Sequence, residues 1–322
     1  MIFRSLRNAL ALVVGLGIAS ALPAAEPVRL RVSTIPILDT APLQVGIAKG
    51  FFAAEGLELD TTPTAGGAVG LPALAAGQVQ LAFSNLISTV LGARAGMGFK
   101  IVAPGSETGA SPPDLGGLVA RPGRVPANGK ALEGKQIAVN TRHNIIWLYA
   151  RAWVQATGGD PDRVSYLEVP FPQMADAVAG GRVDAAFIVD PFLSAALRSG
   201  TVALVGWPFA TVQPHVPVAQ YVATERYLRE HPQTIERFAR AYRRAVDWTN
   251  AHLGSDELAQ IIAGYTRLAP ELVRTLALTP YRKTVDAAGL EGVVAQMRRH
   301  RMIDGPFDPR ALLHHTATEV ER

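Results

Sequence analysis

The sequence contains no cysteine. That absence excludes a disulfide framework, thiolate zinc sites, iron–sulfur clusters and a cysteine nucleophile. It also excludes a lipid anchor carried on a cysteine behind an export signal. Charge is scarce too: Asp, Glu, Lys and Arg make up 18% of the 322 residues, against 48% hydrophobic. A chain of that balance folds, and it is long enough for two domains with cores of their own. The net charge is +4, and two of those charges, Arg4 and Arg7, sit at the extreme N-terminus. No basic stripe interleaved with aromatics is present, so nucleic acid is not an expected partner. The seven histidines lack HExxH spacing, and the adjacent His314 and His315 make no metal site on their own. A GxSxG elbow is absent, which removes the commonest hydrolase signature. Residues 129–136, GKALEGKQ, mimic a phosphate-binding loop, but Gln136 stands where Ser or Thr would hold magnesium. That segment also precedes a strand instead of following one, so it reads as a solvated turn. No cofactor, metal or catalytic constellation is expected.

What is present begins with an address. Met1 to Arg7 is short and basic, Ala9 to Ala19 is an uninterrupted apolar run, and Ala19-Ser20-Ala21 and Ala24-Ala25 supply small residues. These are the parts of a cleavable secretory signal peptide. Ser20 and Pro23 stop the run short of the roughly 20 residues a membrane anchor needs. Cleavage before Glu26 is expected, removing residues 1–25 and leaving a soluble chain outside the cytoplasm.

The remainder alternates strand and helix patterns. Val28–Ile35 (VRLRVSTI) alternates as a strand, Ala41–Glu55 reads as a helix ended by Gly56, and Leu57–Asp60 reads as a second strand. A helix opened by Gly66-Gly67 stops at Gly77, and strands follow at Val79–Phe83 and Lys100–Ala103. Further strands are predicted at 136–140, 164–169, 185–189, 202–205 and 219–224, with helices at 141–157, 174–179, 225–230 and 234–253. Such alternation predicts α/β architecture with mainly parallel sheets. Residues 73–83 (ALAAGQVQLAF) and 177–187 (AVAGGRVDAAF) repeat one unit, a small-residue helix that ends at glycine and turns into a buried strand. Two copies one domain apart predict two lobes of similar design. We place lobe I at 26–119 and 218–322, and lobe II at 120–217. The crossings fall near Leu118–Pro122 and Pro208–Pro217, and two crossings make a hinge.

Ligands of open parallel sheets sit beyond the carboxyl ends of the strands. That rule collects Ile37, Asp39, Gly66, Gly67, Ser84 and Asn85 from lobe I. From lobe II it collects Thr141, Arg142, His143, Asn144, Phe171 and Asp190. Gly66-Gly67 and Thr141–Asn144 are helix N-termini, whose free amides and dipole suit an anion. Arg142 would add a bidentate clamp. Against this, Thr141 and Asn144 also suit simple capping, and Asp39 favours an amine or a ring N–H over an anion. Phe171 and Phe192 would stack on a flat solute or pack in the core.

The segment IPILDTAPLQVGIAKGFFAAEGLEL resembles the opening of the sulfonate-, nitrate- and taurine-binding proteins of ABC importers, a family that also includes binders of thiamine-pyrimidine precursors. GGAVGLPALAAGQVQLAFSN, GGRVDAAFIVDPF and YVATERYLREHPQTIERFARAYRRAV resemble its later blocks, in the family order. The resemblance implies a type II periplasmic binding protein fold, two αβ lobes joined by a double-crossing hinge, and no catalysis. It implies a monomer in the periplasm that passes a small-molecule solute to the transmembrane subunits of an ABC permease. It places Asp39, Gly66, Gly67, Ser84, Asn85, Thr141 and Asp190 at cleft-facing positions. Phe192 departs from the pattern, since a tyrosine hydroxyl is often expected there. The solute stays open: a sulfonate-, nitrate- or taurine-like anion, an aromatic carboxylate, or a heterocyclic vitamin precursor such as a hydroxymethylpyrimidine. A sensor's ligand-binding subunit or a tripartite transporter's receptor is the remaining alternative. The pyrimidine-forming enzyme of this fold needs a cysteine-rich iron motif that the chain lacks.

Overall fold

The computed structural model describes residues 26–276 and 278–318; the expected signal peptide lies outside them. The chain opens with β1 (Val28–Thr34), α1 (Ala41–Ala48), α2 (Phe51–Ala54), β2 (Leu57–Pro63), α3 (Gly67–Ala75), β3 (Leu81–Asn85), α4 (Leu86–Arg94) and β4 (Phe99–Glu107). It continues through β5 (Gly116–Ala120), β6 (Gln136–Val139), α5 (Ile145–Ala156), β7 (Ser165–Glu168), α6 (Phe171–Ala179), β8 (Ala185–Val189), α7 (Phe192–Arg198), β9 (Ala203–Gly206) and α8 (Pro208–Val212). After β10 (Pro217–Thr224) come α9 (Glu225–Glu230), α10 (Pro232–Ala251), α11 (Asp256–Thr266), α12 (Pro270–Val273) and α13 (Ala287–Arg299).

Two five-stranded sheets result, ordered β2-β1-β3-β10-β4 and β7-β6-β8-β5-β9. They share one plan. The first three strands of each are parallel, and the fourth, β10 or β5, runs antiparallel beside the third. The sequence repeat maps onto this plan: α3 with β3, and α6 with β8, occupy matching places. Gly77 and Gly181 make the same turn at φ +72° and +71°, a left-handed conformation that costs a glycine little. Both strands that follow are completely buried, as strands covered on two faces must be.

The structure refines several expectations. The helix expected over 41–55 is two helices, because Gly50 turns the chain at φ +70° between α1 and α2. The first crossing also lies elsewhere. The sequence pattern puts 116–120 at the end of lobe I and the start of the hinge, yet Gly116–Ala120 is β5, inserted between β8 and β9 of the second sheet. The chain therefore leaves the first sheet after Glu107 and crosses at 108–115. The second crossing, 207–216, contains the short helix α8. Glycines 116 and 117 hide this strand, since glycine weakens a strand signal.

The first sheet is clad by α10, whose inward residues Ile235, Phe238, Tyr242 and Val246 recur at helical spacing. Phe238 stacks on Phe52 of α2 at 5.4 Å and meets Tyr221 of β10 edge-on at 5.9 Å. A second cluster joins Val45, Ala245, Leu258, Ile262 and Val273, and so ties α1 and α10 to the C-terminal α11 and α12. On the other face α3 lies unusually close. A Cβ at Gly67 would stand 2.5 Å from the Ser84 Cα, and one at Gly70 would stand 2.3 Å from the Ser33 Oγ. Glycine at i and i+3 lets this helix rest on the strand backbone. We expect Gly67→Ala to lower unfolding free energy by about 1–3 kcal/mol, the range for an overpacked contact that cannot relax. Urea denaturation checks it, and a midpoint equal to the parent's would refute the close-contact reading.

Candidate functional site

The carboxyl ends of both sheets face each other. The loop from β1, residues 35–40, is held rigidly at this seam. The Thr40 hydroxyl donates to the carbonyls of Ile35 and Ile37, both at 3.0 Å. Two tyrosines from the C-terminal region hold it from outside: Tyr265 donates to the Ile37 carbonyl at 3.1 Å and Tyr281 to the Leu38 carbonyl at 2.8 Å. From this loop the Leu38 N–H reaches across to the Asp190 carbonyl at 3.3 Å. Asn140 Nδ2 donates to the Ala65 carbonyl at 3.3 Å, and Arg198 donates to the Thr275 carbonyl at 3.3 Å. The two halves are thus closed on each other.

Closure leaves two cavities and a mouth. The first, about 100 Å³, lies beside the first crossing and is lined by Asp39 and Ser106 from one side and by Asp190 and Leu193 from the other. Asp114, Glu107, Trp207, Leu278 and Tyr281 complete its walls. The second, about 210 Å³, is apolar, with Ile37, Thr64, Pro170, Phe171 and Phe192. A wider opening of about 930 Å³ follows, flanked by Phe171, Phe192 and Arg267.

Acids dominate the first cavity, and each has a distinct environment. Asp39 is 4% exposed and accepts the Ser106 hydroxyl. Burial pushes its carboxyl up to about 6, with that hydrogen bond opposing the rise and the nearby Asp190 and Asp114 adding to it. Asp114 is 8% exposed, and its oxygens accept the peptide N–H of Leu115 at 2.7 Å and of Ala210 at 3.0 Å. It braces the two crossings against each other, and burial raises it to about 6 as well. Asp190 is 9% exposed; one oxygen accepts the Ser194 N–H at 2.9 Å in the first turn of α7, and burial raises its carboxyl too. Glu107 is neutralised by Arg282 at 2.7 Å, with His215 at 3.6 Å. Among the described residues no ion pair involves Asp39, Asp114 or Asp190.

The expected residues separate into groups. Asp39 and Asp190 meet in the first cavity; Ile37 and Phe171 meet in the second. Gly66 and Thr141 face each other across the seam: a Cβ at Gly66 would lie 3.3 Å from the Thr141 methyl. Ser84 and Gly67 are consumed in seating α3 on β3. Asn85 and Asn144 cap helices, accepting the N–H of Ser88 and of Trp147, each at 3.0 Å. Arg142 and His143 are exposed and line neither cavity. The Arg142 N–H donates to Glu168, and the His143 ring lies on Trp147 at 4.8 Å. The cationic clamp expected at Arg142 is therefore not built into these cavities. Ser106, Asp114, Trp207 and Tyr281 are cavity residues that the strand-end rule does not collect. Ser106 is the penultimate residue of β4, a strand that runs four residues past the expected Ala103. Nothing local marks Asp114 or Tyr281, which arrive from a crossing and from the distant C-terminal segment.

Known proteins share this geometry. The alkanesulfonate-binding protein SsuA of Xanthomonas axonopodis pv. citri, bound to MOPS, superposes with a TM-score of 0.74, covering 90% of this chain and 99% of that one at 17% identity. The periplasmic nitrate-binding protein NrtA of Synechocystis PCC 6803 gives 0.71, covering 89% and 85% at 15% identity. YtlA of Bacillus subtilis (strain 168) is 23% identical over 245 residues, 76% of this chain and 72% of that protein. The fold is that of the periplasmic binding proteins. Residues 38–252, from the Asp39 loop through α10, match the family described as NMT1/THI5 like. The chain belongs to the NMT1/THI5-like family.

Proposed function

We propose that this chain is the solute-binding component of an ABC importer, exported by a cleaved signal peptide to the periplasm, where it traps a small organic solute as a monomer. The observation that carries this reading is the pair of like sheets, joined twice, whose strand-end loops close over the cavities holding Asp39, Asp190 and Phe171. Residues 26–107 with 217–318 form one jaw and 116–206 the other. Segments 108–115 and 207–216 act as the hinge, with Asp114 as the brace between them. A hinge of two crossings rotates rigid halves without disturbing either core. Solute entering the open cleft makes contacts to both jaws, and the closed state gains by its differential affinity for that solute. The closed form is what the transmembrane subunits of a permease would recognise. The family's membership and the fold of SsuA and NrtA support a binding role over catalysis.

Closure itself is testable without knowing the solute, because the chain has no cysteine to interfere. In the double variant Gly66→Cys/Thr141→Cys, two thiols replace groups that face each other across the seam, where a Cβ at Gly66 lies 3.3 Å from the Thr141 methyl and 3.4 Å from its hydroxyl oxygen. Mild oxidation should cross-link the jaws, read as a reducible mobility shift on a denaturing gel, and should block exchange of bound solute until reductant is added. Failure to cross-link at any oxidant level would rule out this closing geometry.

The empty trap should also respond to pH. A buried carboxyl raised from 3.8 to about 6 holds its proton more tightly folded than unfolded. The stability it confers is full below about pH 4 and is lost as pH rises through about 6. A tenfold difference in proton affinity between the folded and unfolded chain corresponds to about 1.4 kcal/mol, so Asp39 alone accounts for about 2–3 kcal/mol. Solute-free protein should therefore melt a few degrees lower near pH 7.5 than near pH 5, and Asp39→Asn should flatten that difference. A profile unchanged by the substitution would show that Asp39 titrates normally.

A further inference from the structure

Four carboxylates line the first cavity, and two of them are already spoken for. Glu107 is paired with Arg282, and Asp114 has both oxygens on peptide N–H groups. Asp39 and Asp190 remain without a charged partner, Asp39 holding the Ser106 hydroxyl and Asp190 the peptide N–H and hydroxyl of Ser194. They come from opposite jaws, each is more than nine-tenths buried, and neither has a counter-ion. Asp39 has only the Ser106 hydroxyl and its own peptide N–H. The groups around it are Asp114, Asp190 and the tyrosines 221, 242, 265 and 281, none of them cationic. Leu38, Leu193, Leu197, Trp207 and Leu278 line the rest, together with the neutral hydroxyls of Ser194, Thr279 and Tyr281, so no cation faces the pair from these walls. Two buried like charges without a cation are costly unless protonated or met by donors. An anionic solute in this cavity would add a third negative charge to the pair. A metal ion is not suited either, since no group of three His, Cys, Asp or Glu among the described residues is disposed to hold one.

Resting on the trap reading above, we infer that the solute is a small amphipathic organic cation, an amidinium or ammonium on a compact apolar body, whose N–H groups lie between Asp39 and Asp190 at the jaw seam. Its single positive charge offsets one of the two negative charges, its N–H groups occupy carboxylate lone pairs that face the cavity, and its body fills the Leu193–Trp207 side. Such a ligand makes strong contacts to both jaws only when they are closed, so its binding energy drives closure. Binding requires the carboxylates ionised, so the complex releases protons as it forms below neutral pH.

Benzamidine, benzamide and benzoate have matched shapes and differ in charge. Titration calorimetry of the mature chain near pH 7.5 should show benzamidinium binding at least about tenfold more tightly than either companion. Its affinity should fall towards pH 5. Asp39→Asn and Asp190→Asn should each weaken it by about 10–100-fold, the range for a lost charged hydrogen bond, and thermal melts should show both variants folded. Asparagine at 190 retains an oxygen for the Ser194 N–H, so the cap survives. Benzoate or benzamide binding as tightly as benzamidine, no binding of benzamidine, or an affinity unchanged in both variants overturns the inference. The Gly66–Thr141 cross-link separates this from the trap reading. Benzoate that promotes cross-linking would sink the cation and keep the trap, whereas benzamidine binding with no cross-link would sink the trap.

Discussion

The structure is organised around the burial of carboxylates at a seam between two sheets. Each buried carboxylate carries a desolvation penalty of several kcal/mol, and the local architecture is arranged to hold these groups in place regardless. Ser106 sits opposite Asp39, peptide N–H groups converge on Asp114, and the first turn of α7 receives Asp190. The Asp39 loop cannot swing away to water, because Thr40 ties it from within and Tyr265 and Tyr281 tie it from without. The polar groups are positioned before any solute arrives, which limits the ordering cost at binding.

That positioning depends on how the sheets are built. Each has a fourth strand running against the others, and those two strands, β5 and β10, each follow a crossing. A strand paired on both sides within a sheet anchors its end of the crossing, β10 between β3 and β4 and β5 between β8 and β9. Asp114 lies in one crossing and bonds to Ala210 of the other. The same carboxylate that lines the cavity therefore also couples the two hinge strands. Solute charge near it and hinge geometry are linked by one side chain.

The parallel portion of each sheet is legible in the sequence because period-two alternation and glycine-ended helices are local signals. The repeat at 73–83 and 177–187 announces two matching halves, and the matching turns at Gly77 and Gly181 bear it out. β5 is not legible: its two leading glycines mimic a loop, and only pairing with β8 and β9 makes it a strand. In the site, Asp39 and Asp190 are legible from the strand-end rule. Asn85 and Asn144 obey the same rule yet serve as caps, since a polar residue before a helix satisfies either purpose. Ser106, Asp114 and Tyr281 depend on contacts between segments far apart in the chain, which no local pattern encodes.

The fate of the helix ends bears on the anion chemistry that the N-termini suggest in the sequence. A helix N-terminus attracts anions only while its first amides are unpaired. Here the Asn85 and Asn144 side chains occupy amides of α4 and α5, and Asp190 occupies one of α7. At α3, where no side chain caps the helix, Asn140 and Thr141 of the other jaw press against Gly66. One first-turn donor of each of α4, α5 and α7 is thus taken within the protein. The acceptors left facing the cavity, the oxygens of Asp39 and Asp190, are what a solute meets. Polarity in such a cleft is set by the side chains that reach the cavity after the helix ends are capped, and in the first cavity these include the buried carboxylates Asp39 and Asp190.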